Sequence, residues 1–312
     1  MKRKGPYPLA VPDLEIKRHM TADDLALISP LLDAAARVDG QRALSDHQWL
    51  ELVQGGRPGF AAIIARDGGD PPLAYAQVSR GNKAWELQLV VDPRHRDDFA
   101  RIGAELLRAT LDVIAVEGGG AVYWWVSRAT EAHAALAESV GLSAGRVLHQ
   151  MRRGLPTGIP YDLETRPFVV GQDEDAWLEV NNAAFRWHPE QGGWTRETLA
   201  TREAEPWFDP ASFRLHERDG RLAGFCWTKV HRDEDPPLGE IYVIAVDPYF
   251  AGLGIGRALV LAGLDHLARE GLTIGMLYVD GDNTRARALY DRLGFVLHHV
   301  DRAYAGEVAP PD

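Results

Sequence analysis

The chain's chemistry concentrates between Gly239 and Gly256, in GEIYVIAVDPYFAGLGIG. A carboxylate, Glu240, heads an apolar run that reads as a strand; a short turn and a glycine-rich helix start follow. The first turn of a helix carries backbone N–H groups without intrahelical partners, and the aligned peptide dipoles add partial positive charge. Such an end holds a pyrophosphate well. Downstream, DNTRARALYDRLGF supplies Asn283 and Tyr290. Together the two segments suggest an acyl-CoA site rather than a phosphate site alone.

The elements that must position these groups occur twice. LEIKRHM reads as a strand, after which Thr21 can cap a helix running toward Ala36. Near the middle, LETRPFVV reads as a strand and GQDEDAWLEVNNAAF as a helix. GFAAIIARDGGDPPLAYAQVSR and SFRLHERDGRLAGFCWTKVHR each read as a hairpin around an Asp-Gly turn. WELQLVVDP (Trp85–Pro93) lines up with EIYVIAVDP (Glu240–Pro248), and Trp125–Leu142 with Tyr278–Phe295. Both copies end in a similar segment, VLHQM and VLHHV. A repeat of this length is domain-sized. The expectation is an N-terminal domain over 1–153, a Pro/Gly-rich linker over 154–162 and a C-terminal domain over 163–312. Alternating strands and helices predict an α/β fold, each domain a mixed, mostly antiparallel sheet flanked by helices. In the second copy Val260, Leu264, Leu267 and Ala268 share a helical face that Gly271 can end. Asn283 can cap the next helix, with Ala286, Leu289, Tyr290 and Leu293 as its apolar stripe and Gly294 as its stop.

Bulk properties narrow the class. The 312 residues are 46% hydrophobic and 25% charged, as in ordinary globular proteins. The net charge of −11 argues against a nucleic-acid partner and suits an amine-bearing substrate. No apolar run is long enough to span a bilayer and no signal peptide is visible, so no membrane partner and a cytoplasmic location are expected. The single cysteine, Cys226, excludes an intrachain disulfide and reads as a small core residue rather than a nucleophile. His188, His231, His298 and His299 lack metal-ligand spacing with carboxylates, so no metal is expected.

Strand, Val-Asp-Pro, a Gly-x-Gly helix start and N-x-x-A-x-x-x-Y-x-x-x-G-F resemble the GNAT acyl-CoA-dependent N-acetyltransferase family, carried twice. VNNAAFRWHPEQGGWT (Val180–Thr195), WFDP (Trp207–Pro210), GFCWTKVH (Gly224–His231) and GEIYVIAVDP narrow the resemblance to the mycothiol synthase family of actinobacteria, over nearly the whole chain. The resemblance implies transfer of acetyl from acetyl-CoA to the cysteine α-amine of cysteinyl-glucosaminyl-inositol, a pseudo-disaccharide, with no metal or redox cofactor, by a chain expected to act as a monomer. It implies Glu240 as general base, acting through water, and Tyr290 as general acid toward the CoA thiolate. For the cofactor it implies Ala251, Gly252, Leu253, Gly254, Ile255, Gly256 and Arg257 around the pyrophosphate, and backbone groups of Ile244, Ala245 and Val246 along the pantetheine. A further CoA contact falls on Asn283, Thr284, Arg285, Ala286, Arg287 and Ala288. Ala251 and Gly252 stand where the family commonly has polar or basic side chains, so binding would rest on backbone N–H groups and Arg257. For the acceptor the resemblance implies Glu190, Lys229, Glu240 and Tyr278, with Asp46 from the first copy, where the family more often has Glu; the sugar would then sit between the copies.

The first copy departs from this pattern. By sequence register Trp85 stands opposite Glu240, Ala137 opposite Tyr290 and Thr130 opposite Asn283. RHRDDFARIG has no Gly-x-Gly and places Asp97 and Asp98 where a pyrophosphate would lie. Leu89, Val90 and Val91 keep the strand that in the family still meets acetyl-CoA. One turnover site per chain is therefore expected, in the second copy. Two other readings remain open: an acetyltransferase for another small amine or a peptide N-terminus, and a non-catalytic acyl-CoA sensor.

Overall fold

The structure is a computed structural model that describes residues 12–311 apart from 57, 69–70, 82–83 and 187–190; of 46 and 47 only the backbone is described. It divides into two compact units that are not contiguous in sequence. One runs to Val147 and takes in Val300 onward; the other is Leu148–His299. In chain order the elements are β1 (Asp13–Lys17), α1 (Ala22–Asp39), α2 (Asp46–Val53), β2 (Ala61–Arg66), β3 (Ala74–Arg80), β4 (Trp85–Val91), α3 (Phe99–Val116), β5 (Gly120–Ser127), α4 (Glu131–Ser139) and β6 (Ser143–Gly154). The second half follows with β7 (Arg166–Pro167), α5 (Glu174–Ala184), α6 (Arg196–Glu203), β8 (Phe213–Arg218), β9 (Arg221–His231), β10 (Leu238–Val246), α7 (Ile255–Arg269), β11 (Ile274–Asp280), α8 (Thr284–Arg292) and β12 (Val296–Val308).

Each unit has a mixed sheet in which one pair is parallel, β4 with β5 in the first and β10 with β11 in the second. The other registered pairs are antiparallel. The copies exchange their last strands. Asp301–Val308 of β12 pairs with β5 in the first unit, and Leu148–Gly154 of β6 pairs with β11 in the second.

Local signals act as their chemistry dictates. Thr21 caps α1 with a reciprocal box to Asp24. Asp219 and Gly220, both at positive φ, turn the β8–β9 hairpin, the combination a two-residue turn of this hand requires. The strand expected over LETRPFVV is confined to Arg166–Pro167, with one further ladder bond from Phe168 N–H to Phe213 O at 2.8 Å.

In the second unit two apolar layers sandwich the sheet. Ile241, Leu259, Leu264, Leu277 and Tyr290 form the layer under α7 and α8. Trp177, Phe213, Phe225, Trp227 and Val243 form the layer under α5. Phe213 and Trp227 stack with centroids 4.3 Å apart, and Trp177 meets Phe213 edge-on at 5.7 Å. An aromatic side chain buries roughly 150–250 Å², so this cluster pins β9 firmly and with it the residues that follow Trp227. The first unit repeats the sandwich, with Trp85, Leu107 and Trp124 on the α3 side and Ile28, Phe60 and Tyr75 on the α1 side.

Candidate active site

The site is built on β10. Alternation along the strand is broken once. Ile241 and Ile244 pack toward α7, whereas Tyr242, Val243 and Ala245 pack toward α5. The register against β9 shifts between Ile241 and Val243, leaving Tyr242 as the extra residue of a β-bulge. Pairing with β11 ends at the same place, at Ile241↔Leu277. Beyond it Ile244, Ala245 and Val246 bond only toward β9 in the registered ladder, so their other edge can take an extended ligand chain as an added strand would.

Glu240 lies just before the bulge, directly opposite Lys229 of β9. Both are buried, at 8% and 7% exposure. Lys229 Nζ sits over the ring of Trp207 at 4.6 Å and near that of Tyr242 at 5.7 Å, a cation–π arrangement that offsets some of the cost of burying the ammonium. His231 Nε2 lies 2.7 Å from Glu240 Oε2. Lys229 and His231 are two residues apart on a strand and therefore share the face that Glu240 joins from across.

Tyr290 comes from α8 and sits in the opposite layer, 8% exposed, with its ring edge-on to Phe295 at 5.7 Å. Burial, and secondarily the nearby Cys226, pushes its phenol up to about 12, so it stays protonated at any physiological pH. Cys226 itself is fully buried and its thiol is pushed up to about 12 by burial, which suppresses the thiolate and matches a core role.

The anion cradle lies after β10. Gly252 and Gly254 have φ of +87° and +79°, and a Cβ at either would meet no atom within 4 Å. Backbone conformation, not crowding, calls for glycine at both. Gly254 caps α7 without any side-chain bond to the first-turn N–H groups, so these remain open to a ligand. Ala251, Leu253 and Arg257 are exposed around the loop, Gly256 is half-buried and Ile255 anchors the helix in the core. These features fit a pyrophosphate. At α8, Asn283 Oδ1 accepts from Ala286 N–H at 3.1 Å, and Arg287 Nη1 donates to Gly281 O at 2.8 Å. Thr284, Arg285 and Ala288 are exposed on the same helix start.

Of the remaining expected residues, Tyr278 is 39% exposed and its hydroxyl accepts from Gln150 Nε2 at 2.7 Å. Glu190 and the side chain of Asp46 lie outside the described residues; Asp46 opens α2, which Ser45 caps. Leu89 is partly buried, and Val90 and Val91 are buried, in the first unit's core layers.

Sequence reasoning missed His231, Trp207, Tyr242 and Gln150 as neighbours of expected site residues. The alternation Lys229–His231 was readable as one strand face, but its meeting with Glu240 depends on the β9–β10 register. Gln150 reaches Tyr278 only because the last strands are exchanged.

One sequence alignment needs correction. The bulge adds a residue to β10 that β4 lacks, so the strand position equivalent to Glu240 is Glu86, not Trp85. Glu86 pairs in parallel with Tyr123 as Glu240 pairs with Met276, each the middle of three pairs, and Glu86 faces Ser79 where Glu240 faces Lys229. Ala137 holds the position of Tyr290, both seven residues past their helix caps Thr130 and Asn283.

The profile of the GNAT acetyltransferase family matches residues 177–295. A curated relative from Acidimicrobium ferrooxidans, named Mycothiol acetyltransferase, is 44% identical over 84% of this chain and 87% of its own length. One from Streptomyces avermitilis with the same name is 42% identical over 96% and 97%. Among solved structures, a GCN5-related N-acetyltransferase from Sphaerobacter thermophilus aligns with a TM-score of 0.70 at 24% identity, over 97% of this chain and 98% of that one. A tandem GNAT protein from the clavulanic acid biosynthesis pathway aligns with a TM-score of 0.63 at 19% identity, over 96% and 100%. These two share the fold; the curated relatives carry the closer kinship, and by them the chain belongs to the mycothiol acetyltransferase family of GNAT enzymes.

Proposed function

We propose that the second unit transfers the acetyl group of acetyl-CoA to the cysteine α-amine of cysteinyl-glucosaminyl-inositol, giving mycothiol and CoA. The acceptor's identity rests on the near-full-length similarity to relatives named Mycothiol acetyltransferase. The observation that carries the chemistry is the placing of Glu240 and Tyr290 in opposite layers of a sheet that splits between β10 and β11.

In this reading the open N–H groups of α7 and Arg257 hold the pyrophosphate, and the free edge of Ile244–Val246 holds the pantetheine. An α-amine has a pKa near 8, so a modest base suffices to free its lone pair. Glu240 takes the ammonium proton through a water molecule and passes it to solvent. The amine nitrogen then bonds to the thioester carbon, and backbone N–H groups of β10 meet the oxyanion. The nitrogen loses its second proton to Glu240 through the same water as the intermediate collapses, and the C–S bond breaks as Tyr290 gives its proton to sulfur. Glu240 releases that proton to solvent and Tyr290 regains one from it. The transfer from a phenol near 12 to a thiolate is not downhill, so its benefit lies in hydrogen bonding as charge develops on sulfur. Lys229, in its aromatic surround, and Tyr278, oriented by Gln150, offer polar contacts to the acceptor. The first unit is non-catalytic in this proposal.

The test is release of CoA thiol by purified protein with acetyl-CoA and a panel of amines that includes the cysteinyl-glucosaminyl-inositol. Turnover of that acceptor is expected. Turnover of other amines alone would reassign the enzyme within the acetyltransferases, and acetyl-CoA binding without release would make it a sensor.

A further inference from the structure

We propose that His231 is a positioning residue for Glu240, fixing the rotamer of the carboxylate that faces the acceptor; the proposal rests on the reading of Glu240 as the base. An ionised carboxylate can only accept hydrogen bonds, so the 2.7 Å contact between His231 Nε2 and Glu240 Oε2 requires the hydrogen to be on Nε2. That bond occupies Oε2 and leaves Oε1 for the water or amine it must serve.

The pairing follows from the strand geometry. Glu240 stands directly opposite Lys229, and His231 is the next residue on the same face, at the diagonal position. The stacked Trp227 on that face fixes the register from below. Both side chains are largely buried, at 22% and 10% exposure, so the bond competes weakly with water and is charge-assisted. A carboxylate in a partly buried site without such a donor would turn freely about its side-chain torsions, which lowers the fraction of enzyme aimed to accept a proton.

The experiment combines kinetics with a spectroscopic readout. With whichever amine of the panel the wild type acetylates, His231→Ala should lower kcat about 10–100-fold, the range for losing a hydrogen bond to a charged group. The KM for acetyl-CoA should stay within about twofold. His231→Gln, which keeps an amide N–H near the same reach, should recover most of the rate. In a Glu240→Gln background His231→Ala should add no further loss, since the two act as a unit. Independently of any acceptor, ¹⁵N NMR of the His231 ring should show hydrogen on Nε2 and a changed signal in Glu240→Gln; if His231→Ala does not fold, this measurement and the Gln variant decide. A His231→Ala enzyme with wild-type kcat, an equal loss in the Glu240→Gln background, or a neutral ring with hydrogen on Nδ1 alone would overturn the proposal. A wild-type rate for Glu240→Gln would instead remove the base assignment on which it rests.

Discussion

The two units are built on one plan and have treated the same crevice differently. In each, the parallel pair is registered for three residues and then stops, β4–β5 at Leu87↔Trp124 and β10–β11 at Ile241↔Leu277. In the second unit a bulge re-aims β10, left-handed glycines open the helix start, and a phenol comes up from α8. In the first, β4 runs without a bulge and the helix start is Asp98-Phe99. There Phe99 meets the ring of His133 from α4 at 4.8 Å, and Trp124 lies 6.1 Å from the same imidazole. Burial, and secondarily Arg96, holds His133 below its ordinary value, so the ring sits neutral among the aromatics. The fold survives because its core pattern survives. In the proposed mechanism the chemistry draws on one extra strand residue, two glycines and one tyrosine, and those are positions where the units part.

The sharpest way to break this comparison is to remove the equivalent carboxylate from each unit. Glu240→Gln should cut kcat about 10²–10⁴-fold, the usual worth of a general base. Glu86→Gln, at the matching register position, should leave kcat within about twofold. Steady-state CoA release measures both, and a comparable loss from the two would mean that the first unit also turns over.

Tyr290→Phe should follow with a loss of about 10²-fold in kcat. Phenylalanine fills nearly the same buried volume, so thermal unfolding should shift little. Because the phenol of Tyr290 is pushed up to about 12 by burial, its deprotonation cannot produce a fall in rate below about pH 10. A basic limb centred near pH 9 that vanishes in Tyr290→Phe would contradict that environment.

Lys229→Ala should act more modestly, raising the KM for the acceptor about tenfold and leaving that for acetyl-CoA unchanged. Nothing in the first unit offers a matched control, since Ser79 occupies the corresponding register position. A selective acetyl-CoA effect would move Lys229 out of the acceptor site.

Much of this was legible in the chain because it is written locally. Caps at Thr21 and Asn283, the left-handed stops at Gly271 and Gly294, and the glycine loop each depend on a few adjacent residues, and each stands where its chemistry put it. What was not legible depends on partners far away in sequence. The bulge at Tyr242 exists only relative to β9, so alignment by letters set Trp85 against Glu240. The strand exchange lets Leu148–Gly154 close the second sheet beside β11 and Asp301–Val308 close the first beside β5, and no local pattern distinguishes that from the unexchanged arrangement. The spacing of His231 gives no metal-ligand pattern, and its place beside Glu240 follows from strand register alone.

The smallest expected effect tests the helix start. Gly254 has φ +79° and open space around a would-be Cβ, so Gly254→Ala creates no clash and costs only the strain of a left-handed alanine, about 1 kcal/mol. If the loop holds that conformation to present its N–H groups, part of the strain is relieved by tilting them away from the ligand, and the KM for acetyl-CoA should rise about fivefold, the factor that 1 kcal/mol commands. The acceptor KM and kcat should barely move. The matched change in the first unit, Asp98→Ala at the cap of α3, should alter neither, because that helix start has no left-handed residue and continues a 3-10 turn in which Phe99 N–H is already bonded to Arg96 O. Calorimetric titration completes the pair: about one equivalent of acetyl-CoA per chain at the tight site, weakened by the first substitution and indifferent to the second. Equal weakening by both would show that the two helix starts bind alike, and the difference between the units would then have to lie in the proton-transfer groups alone.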